Sequence, residues 1–215
     1  MTDPNTASVL FQTAYAGRYT WDANFPGYSA DVQLVQGTQT DTGIIRINRN
    51  LSIEITGIAD EEVQEGIYTQ LQDMVIHRQN SSFEQTHDKC EFTLGNTDAI
   101  GVVEIIVKSE SLDSHYKIRG GEICQVSRAI ARNVFVIDTH ESFQTGAGYI
   151  ATRYDATFHN AKTNEVISVL KFEDTYEKFG DYYLLTKQVV HEYQDSDRST
   201  TEFRYSNIKL LGDGA

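Results

Sequence analysis

From residue 90 to the C-terminus the chain keeps almost without interruption to a two-residue period. "CEFTL", "GVVEIIVKS", "HYKIRG", "GEICQVSRAI", "NVFVIDTHESFQT", "YIATRYDATFHN", "EVISVLKFEDTYEKF", "DYYLLTKQVVHEYQ" and "TEFRYSNIKLL" succeed one another, separated by turn clusters such as "GNTDA", "NAKTN" and "DSDRS". Side chains of a strand alternate between faces, so apolar residues at every second position describe strands with one face buried. The short connections leave no room for crossover helices, which forces neighbours to pair antiparallel. Roughly ten strands joined in this way form an antiparallel meander, as an open curved sheet or a barrel. Two packed sheets are the alternative.

The same period starts earlier. "YSADVQLVQ" puts Ala30, Val32 and Leu34 on one face, "GIIRIN" continues the pattern, and "LSIEITG" alternates Leu51, Ile53 and Ile55 with polar residues, with a turn at "NRN". Only two stretches break it. Residues 4–20 carry Ala7, Val9, Leu10, Ala14, Tyr15, Ala16 and Tyr19 and predict a first helix. In "DEEVQEGIYTQLQDMVIHRQ", residues 60–79, the stripe Val63, Ile67, Leu71, Met74, Val75 and Arg78 recurs at steps of three and four, the mark of an amphipathic helix. Asp60, Glu61 and Glu62 open it and His77 and Arg78 close it, which suits the charges a helix exposes at its two ends. Gly66 costs about 1 kcal/mol relative to alanine, so this helix depends on tertiary packing. The expected fold is α+β: a long curved antiparallel sheet, a half-barrel or open barrel, covered by an N-terminal and a central helix.

The chain has 215 residues, twelve tyrosines, ten phenylalanines and 40% hydrophobic content, enough for one sizeable core, and its two prolines mark no linker. One domain over residues 1–215 is expected. A net charge of −13 with the acids dispersed argues against a nucleic-acid partner, which would need clustered Lys and Arg, and against anchoring on anionic lipid. No run reaches transmembrane length and no basic, apolar leader opens the sequence, so a cytoplasmic protein without membrane insertion is expected. Cys90 and Cys124 read as two reduced thiols.

At "WDANFPGYSADVQL", and across residues 123–190, the chain resembles a family of uncharacterised proteins from cyanobacteria and plant chloroplasts, a domain of unknown function that spans nearly the whole chain. The resemblance rests on Trp21 and Phe25-Pro26-Gly27 at the entry to the first strand, the Ser127-Arg128 pair, and the Asp174 to Gly180 hairpin. It implies an origin in a photosynthetic organism and no assigned activity. The order of elements, a helix, three strands, a helix and a long meander, is also similar in shape to the half-barrels of lipoprotein carriers and related lipid-binding proteins. That similarity implies a greasy space between sheet and helices.

Patterns that carry chemistry are few. "GAGYIA" at 146–151 fits the dinucleotide pattern G-x-G-x-x-A, but a strand follows it where pyrophosphate binding requires a helix N-terminus, so it reads as a hairpin turn. The six histidines show no ligand spacing, and no metal and no cofactor is expected. Asp138, His140 and Ser142 fall on one strand face and would suit an acid–base group, although an exposed strand looks the same. Arg128 and Arg132 could anchor a carboxylate or phosphate, or pair with the chain's own acids. The aromatic residues of the C-terminal hairpins read as sheet packing.

The leading reading is a non-enzymatic binder of an apolar or amphipathic small molecule, a lipid or pigment, held between sheet and helix. Its ligand-facing residues are Trp21, Ile67, Leu71, Met74, Arg128 and Arg132. The competing readings are an enzyme built on the polar strand 138–142, and a protein-interaction module using a sheet edge. No catalytic residue is assigned and no protein partner is named. Elemental analysis of the purified protein should find no stoichiometric zinc or iron.

Overall fold

The two-residue period becomes a single succession of hydrogen-bonded neighbours. The structure, a computed structural model, describes residues 4–110 and 113–212, without the side chains of residues 4 and 5. Its strands are β1 (Tyr28–Gln36), β2 (Gln39–Ile47), β3 (Ile53–Thr56), β4 (Glu91–Thr97), β5 (Val103–Lys108), β6 (Ser114–Arg119), β7 (Glu122–Ile130), β8 (Asn133–Gln144), β9 (Tyr149–Asn160), β10 (Val166–Phe179), β11 (Tyr182–Gln194) and β12 (Asp197–Leu210). The helices are α1 (Pro4–Ala16), α2 (Glu61–Arg78) and α3 (Phe83–His87). All twelve strands belong to one sheet in the order β3-β2-β1-β12-β11-β10-β9-β8-β7-β6-β5-β4. The order ends at β3 and β4 without joining them, so the sheet is open. The fold class is therefore α+β with one long antiparallel sheet, as the strand pattern implies, and neither a closed barrel nor two sheets.

The chain's contacts gather in two units, each assembled from separated segments. The first comprises residues 1–19, 81–171 and 192–198, and the second residues 20–80, 172–191 and 199–215.

In the first unit α1 lies on β4, β6 and β7. Its buried stripe is Ala7, Phe11 and Ala14, packed with Ile105, Val107, Tyr116 and Ile118. Of the apolar residues that predict this helix, Val9 and Leu10 face outward, with Val9 53% exposed, and the helix ends at Ala16, short of the expected residue 20. Two alanines flanking one phenylalanine let the helix axis come close to the strands, and Phe11 fills the space between. Its ring centroid lies 4.6 Å from Tyr116 and 5.6 Å from Phe92. The short helix α3 was not expected, although "SSFEQ" carries its signal: Ser82 and Gln85 form a capping box.

The hairpin reading of "GAGYIA" holds, since Gly146 and Gly148 lie in the turn between β8 and β9. Gly148 has φ +141°, and a Cβ there would lie 2.6 Å from the Tyr19 backbone nitrogen. The glycine is needed because the segment after α1 runs against this turn: Tyr149 N donates to Gly17 O and Tyr19 N to Tyr149 O, both at 2.9 Å.

In the second unit β1 lies between β2 and β12, pairing Val32 with Gly43 on one side and Tyr205 on the other. Tyr28, Ala30, Val32 and Leu34 are buried along one face, with Ile45, Ile47, Phe203 and Tyr205 from the neighbouring strands. Gly27 is the entry to this strand. Its φ is +84°, and a Cβ would collide with the Ile47 carbonyl, so "FPG" is a backbone requirement. Asp60 caps α2, its Oδ1 accepting from Glu62 N and Val63 N at 2.9 and 3.2 Å. The buried residues of α2 are Ile67, Leu71, Met74, Val75 and Arg78, the stripe read from the sequence apart from Val63. Leu71 is fully buried, so Leu71→Ala should cost about 2–5 kcal/mol through lost burial and an unfilled void. Urea denaturation should show it as a lower midpoint at unchanged slope.

Candidate functional site

Polar residues occupy the buried face of the second unit where the two-residue period calls for apolar ones. Asp174 stands between Phe172 and Tyr176 on β10, and Gln188 between Leu184 and Val190 on β11. Arg78, the last residue of the α2 stripe, reaches them. Its Nη2 donates to the Tyr176 hydroxyl at 3.0 Å, and that hydroxyl donates to Asp174 Oδ2 at 3.1 Å. Gln188 Nε2 donates to Asp174 Oδ1 at 2.9 Å. A cation and a carboxylate are thus joined through a phenol beneath a helix, and the arginine's place on the stripe fixes which side of α2 faces the strands.

The network leaves buried hydrogen-bonding capacity unused. Arg78 Nε, Gln188 Oε1 and the hydroxyls of Tyr28 and Tyr205 have no hydrogen-bond partner among the described residues. Their residues are 7%, 4%, 0% and 4% exposed, in that order. A buried polar atom left unpaired costs about 1–3 kcal/mol, so four in one unit are a feature to be explained. Burial pushes the Tyr28, Tyr176 and Tyr205 hydroxyls well above the ordinary phenol range. Tyr205 also feels the charge of Asp174 and its neighbours Tyr28 and Tyr176, which groups the three phenols with the carboxylate. All three remain protonated and able to donate.

Trp21 borders this cluster. Its backbone N–H donates to the Arg78 carbonyl at 2.8 Å, which satisfies a helix end, and its indole N–H donates to Tyr183 O at 3.3 Å. The indole stacks on Phe25 at 4.0 Å, and its centroid lies 6.3 Å from that of Tyr28. Trp21, Ile67, Leu71 and Met74 are all buried members of this unit.

Arg128 and Arg132 belong to the first unit. Arg128 Nη2 donates to the Tyr116 hydroxyl at 2.6 Å, so it pairs with a phenol of the α1 core where an acid was the bland expectation. Arg132 is exposed in the β7–β8 turn. The site residues that sequence reasoning missed are Tyr28, Asp174, Tyr176, Gln188 and Tyr205, and Arg78, which it read only as a member of the helix stripe. Asp174 and Gln188 had a readable signal, a polar residue in the apolar phase of a strand. The tyrosines had none, because phenols suit either face.

The three residues of the polar strand do not share one set of partners. Register shifts between β8 and β9 around His140 and Ser142 interrupt the alternation that would align Asp138, His140 and Ser142. Each takes a different partner: Asp138 accepts from Gln125, His140 lies 3.3 Å from Asp155, and Ser142 donates to Glu122 at 2.6 Å. Two open grooves lie elsewhere, one of about 370 Å³ between β3 and the start of α2 beside Glu61, Glu65 and Tyr68, the other of about 300 Å³ beside Phe83, His87 and Phe92. No helix of the described residues is long and apolar enough to cross a membrane.

No curated protein matches the chain in sequence. Among solved structures it is similar to a Vibrio parahaemolyticus domain designated an outer membrane lipoprotein-sorting protein. The identity is 8% and the TM-score 0.38, over 99% of this chain and 95% of that one. It is also similar to a chain of the Pseudomonas aeruginosa MucA/MucB complex, at 9% identity and TM-score 0.27, over 97% of this chain and all of that one. A second structure, of MucB with MucA(peri), matches at 10% identity and TM-score 0.26, over 96% of this chain and all of that one. The family model that matches residues 2–211 is that of DUF3386, described as a protein of unknown function, and the chain belongs to this family.

Proposed function

We propose that the second unit binds a small amphipathic molecule between α2 and the strands beneath it, without chemistry. The observation that carries this reading is the set of four buried polar atoms without partners beside the Arg78–Tyr176–Asp174–Gln188 network. A cluster that served stability alone would have its capacity filled, because an unfilled hydrogen bond in a low-dielectric interior costs more than an apolar replacement. Unfilled capacity beside an apolar helix stripe suits a ligand with one polar end and an apolar body. In this reading the polar end meets Arg78 Nε, Tyr28 and Tyr205, and the body lies along Trp21, Ile67, Leu71 and Met74. Arg128 and Arg132 have no part in it; Arg78 supplies the cation within the unit.

The packing of α2 also supports the reading. The helix contains Gly66 and is held by its buried stripe, the Asp60 cap, the Gln64 side chain donating to Ile55 O at 3.2 Å and the bonds at Arg78. Such an element opens at lower free energy than the strands it covers, which gives a ligand a way in.

Ligand binding and folding stability should respond in opposite senses to one substitution. Tyr28→Phe and Tyr205→Phe each delete a buried hydroxyl that has no partner, so the ligand-free protein should melt at an unchanged or higher temperature, with a gain of up to about 1–3 kcal/mol. Native mass spectrometry with solvent extraction should find an amphipathic compound on the wild type and less of it on both variants. A loss of stability in both variants, together with unchanged retention, would count against the reading.

A further inference from the structure

The unused hydrogen-bonding capacity runs in both directions, and its charge is already balanced. Of the four unpartnered atoms, Arg78 Nε can only donate, while the hydroxyls of Tyr28 and Tyr205 can each donate and accept. The fourth, Gln188 Oε1, is an acceptor, and the orientation of that amide follows from its NH₂ group facing the Asp174 carboxylate at 2.9 Å. A head group that completes the set must offer at least one acceptor, to the Arg78 Nε–H.

Charge narrows the class. Arg78 is already compensated by Asp174, through the Tyr176 hydroxyl that accepts from one and donates to the other. Arg78 is the one charged side chain among the nine-tenths-buried residues described. A carboxylate or phosphate entering beside Tyr28 and Tyr205 would add a negative charge next to Asp174 with no further cation to meet it. Burying an unmatched charge costs more than the hydrogen bonds it gains return. An ester or ketone oxygen accepts from the same donors and leaves the Arg78–Asp174 balance intact.

We propose that the ligand's polar end is an uncharged group bearing an acceptor, such as an ester or ketone, received by Tyr28, Tyr205 and Arg78 Nε. The inference rests on the reading of this unit as a binding site for an amphipathic small molecule. It goes further in that it excludes ionised fatty acids, which satisfy the general reading equally well.

Two probes of equal chain length test it on the full chain: dodecanoate at a pH where it is ionised, and methyl dodecanoate. Trp21 is the sole tryptophan and touches the site, so its emission reports occupancy, with calorimetry as a second readout. The ester should bind at least about tenfold more tightly than the anion, as expected for one unmatched buried charge. In Asp174→Asn, Arg78 loses its counter-charge, and the preference should shrink or reverse. Dodecanoate binding as tightly as the ester to the wild type, a comparison that requires no variant to fold, would overturn the head-group inference and leave the binding site standing. If neither probe shifts the Trp21 emission or gives heat, the site is a polar cluster only and the binding reading falls with it.

Discussion

The pairing of β1 with β12 is the contact on which the second unit depends. It joins two strands from opposite ends of the chain, and the Asn207 side chain meets Asp31 at 2.6 Å across 176 residues of sequence. The entropy of closing so large a loop must be met before any local gain, so this pairing forms late and only with its register correct. Register matters because a shift by one residue turns a strand's buried face to solvent. With Val32 opposite Tyr205 and Leu34 opposite Phe203, the buried faces of the two strands coincide, and Tyr205 is drawn into the neighbourhood of Tyr28. The shift in register between Ser29 and Asp31 falls between these two tyrosines along β1.

On that face the polar network works against stability. Arg78, Asp174 and Gln188 could be replaced together by aliphatic side chains of similar size with gain or little loss, as buried ion pairs commonly can, whereas removing one charge alone would leave the other unmatched. Their arrangement instead leaves polar atoms unpaired in a setting where burial pushes the phenols above their ordinary range. The α1 core of the first unit shows the contrast. There Phe11, Tyr116 and Phe92 fill one another's space, the Tyr116 hydroxyl accepts from Arg128, and the Tyr149 hydroxyl both donates to Ala14 O and accepts from Ile123 N, each bond near 3 Å. The two clusters differ in degree: in the first, one buried atom, Arg128 Nε, lacks a partner among the described residues, and in the second four do, which is the ground on which the proposed ligand is set at Arg78.

Much of this architecture was legible in the sequence. The alternation in "YSADVQLVQ" and the step of three and four in residues 63–78 are local consequences of backbone geometry, so they fixed β1, the rest of the strands and α2 without reference to distant residues. Glycine punctuation was equally readable: Gly146 to Gly148 as a turn followed from the strand on its C-terminal side. In α1 the same logic gave a helix but no buried face, because Val9 and Leu10 are more apolar than Ala7 and Ala14, while packing selected the residues small enough for close approach.

What the sequence by itself determined is the kind of each element and which face of α2 and β1 is apolar, since these depend on period alone. Only the tertiary structure decided which polar residues meet. Arg78 was read as the end of a helix stripe, Tyr176 and Tyr205 as sheet packing, and Asp174 as part of a hairpin, and nothing local distinguishes these readings from a shared site. The residues become one network because antiparallel pairing brings β1, β10, β11 and β12 side by side and α2 ends above them. Whether a buried polar atom finds a partner depends on three-dimensional neighbours, and a one-dimensional pattern carries no information about that.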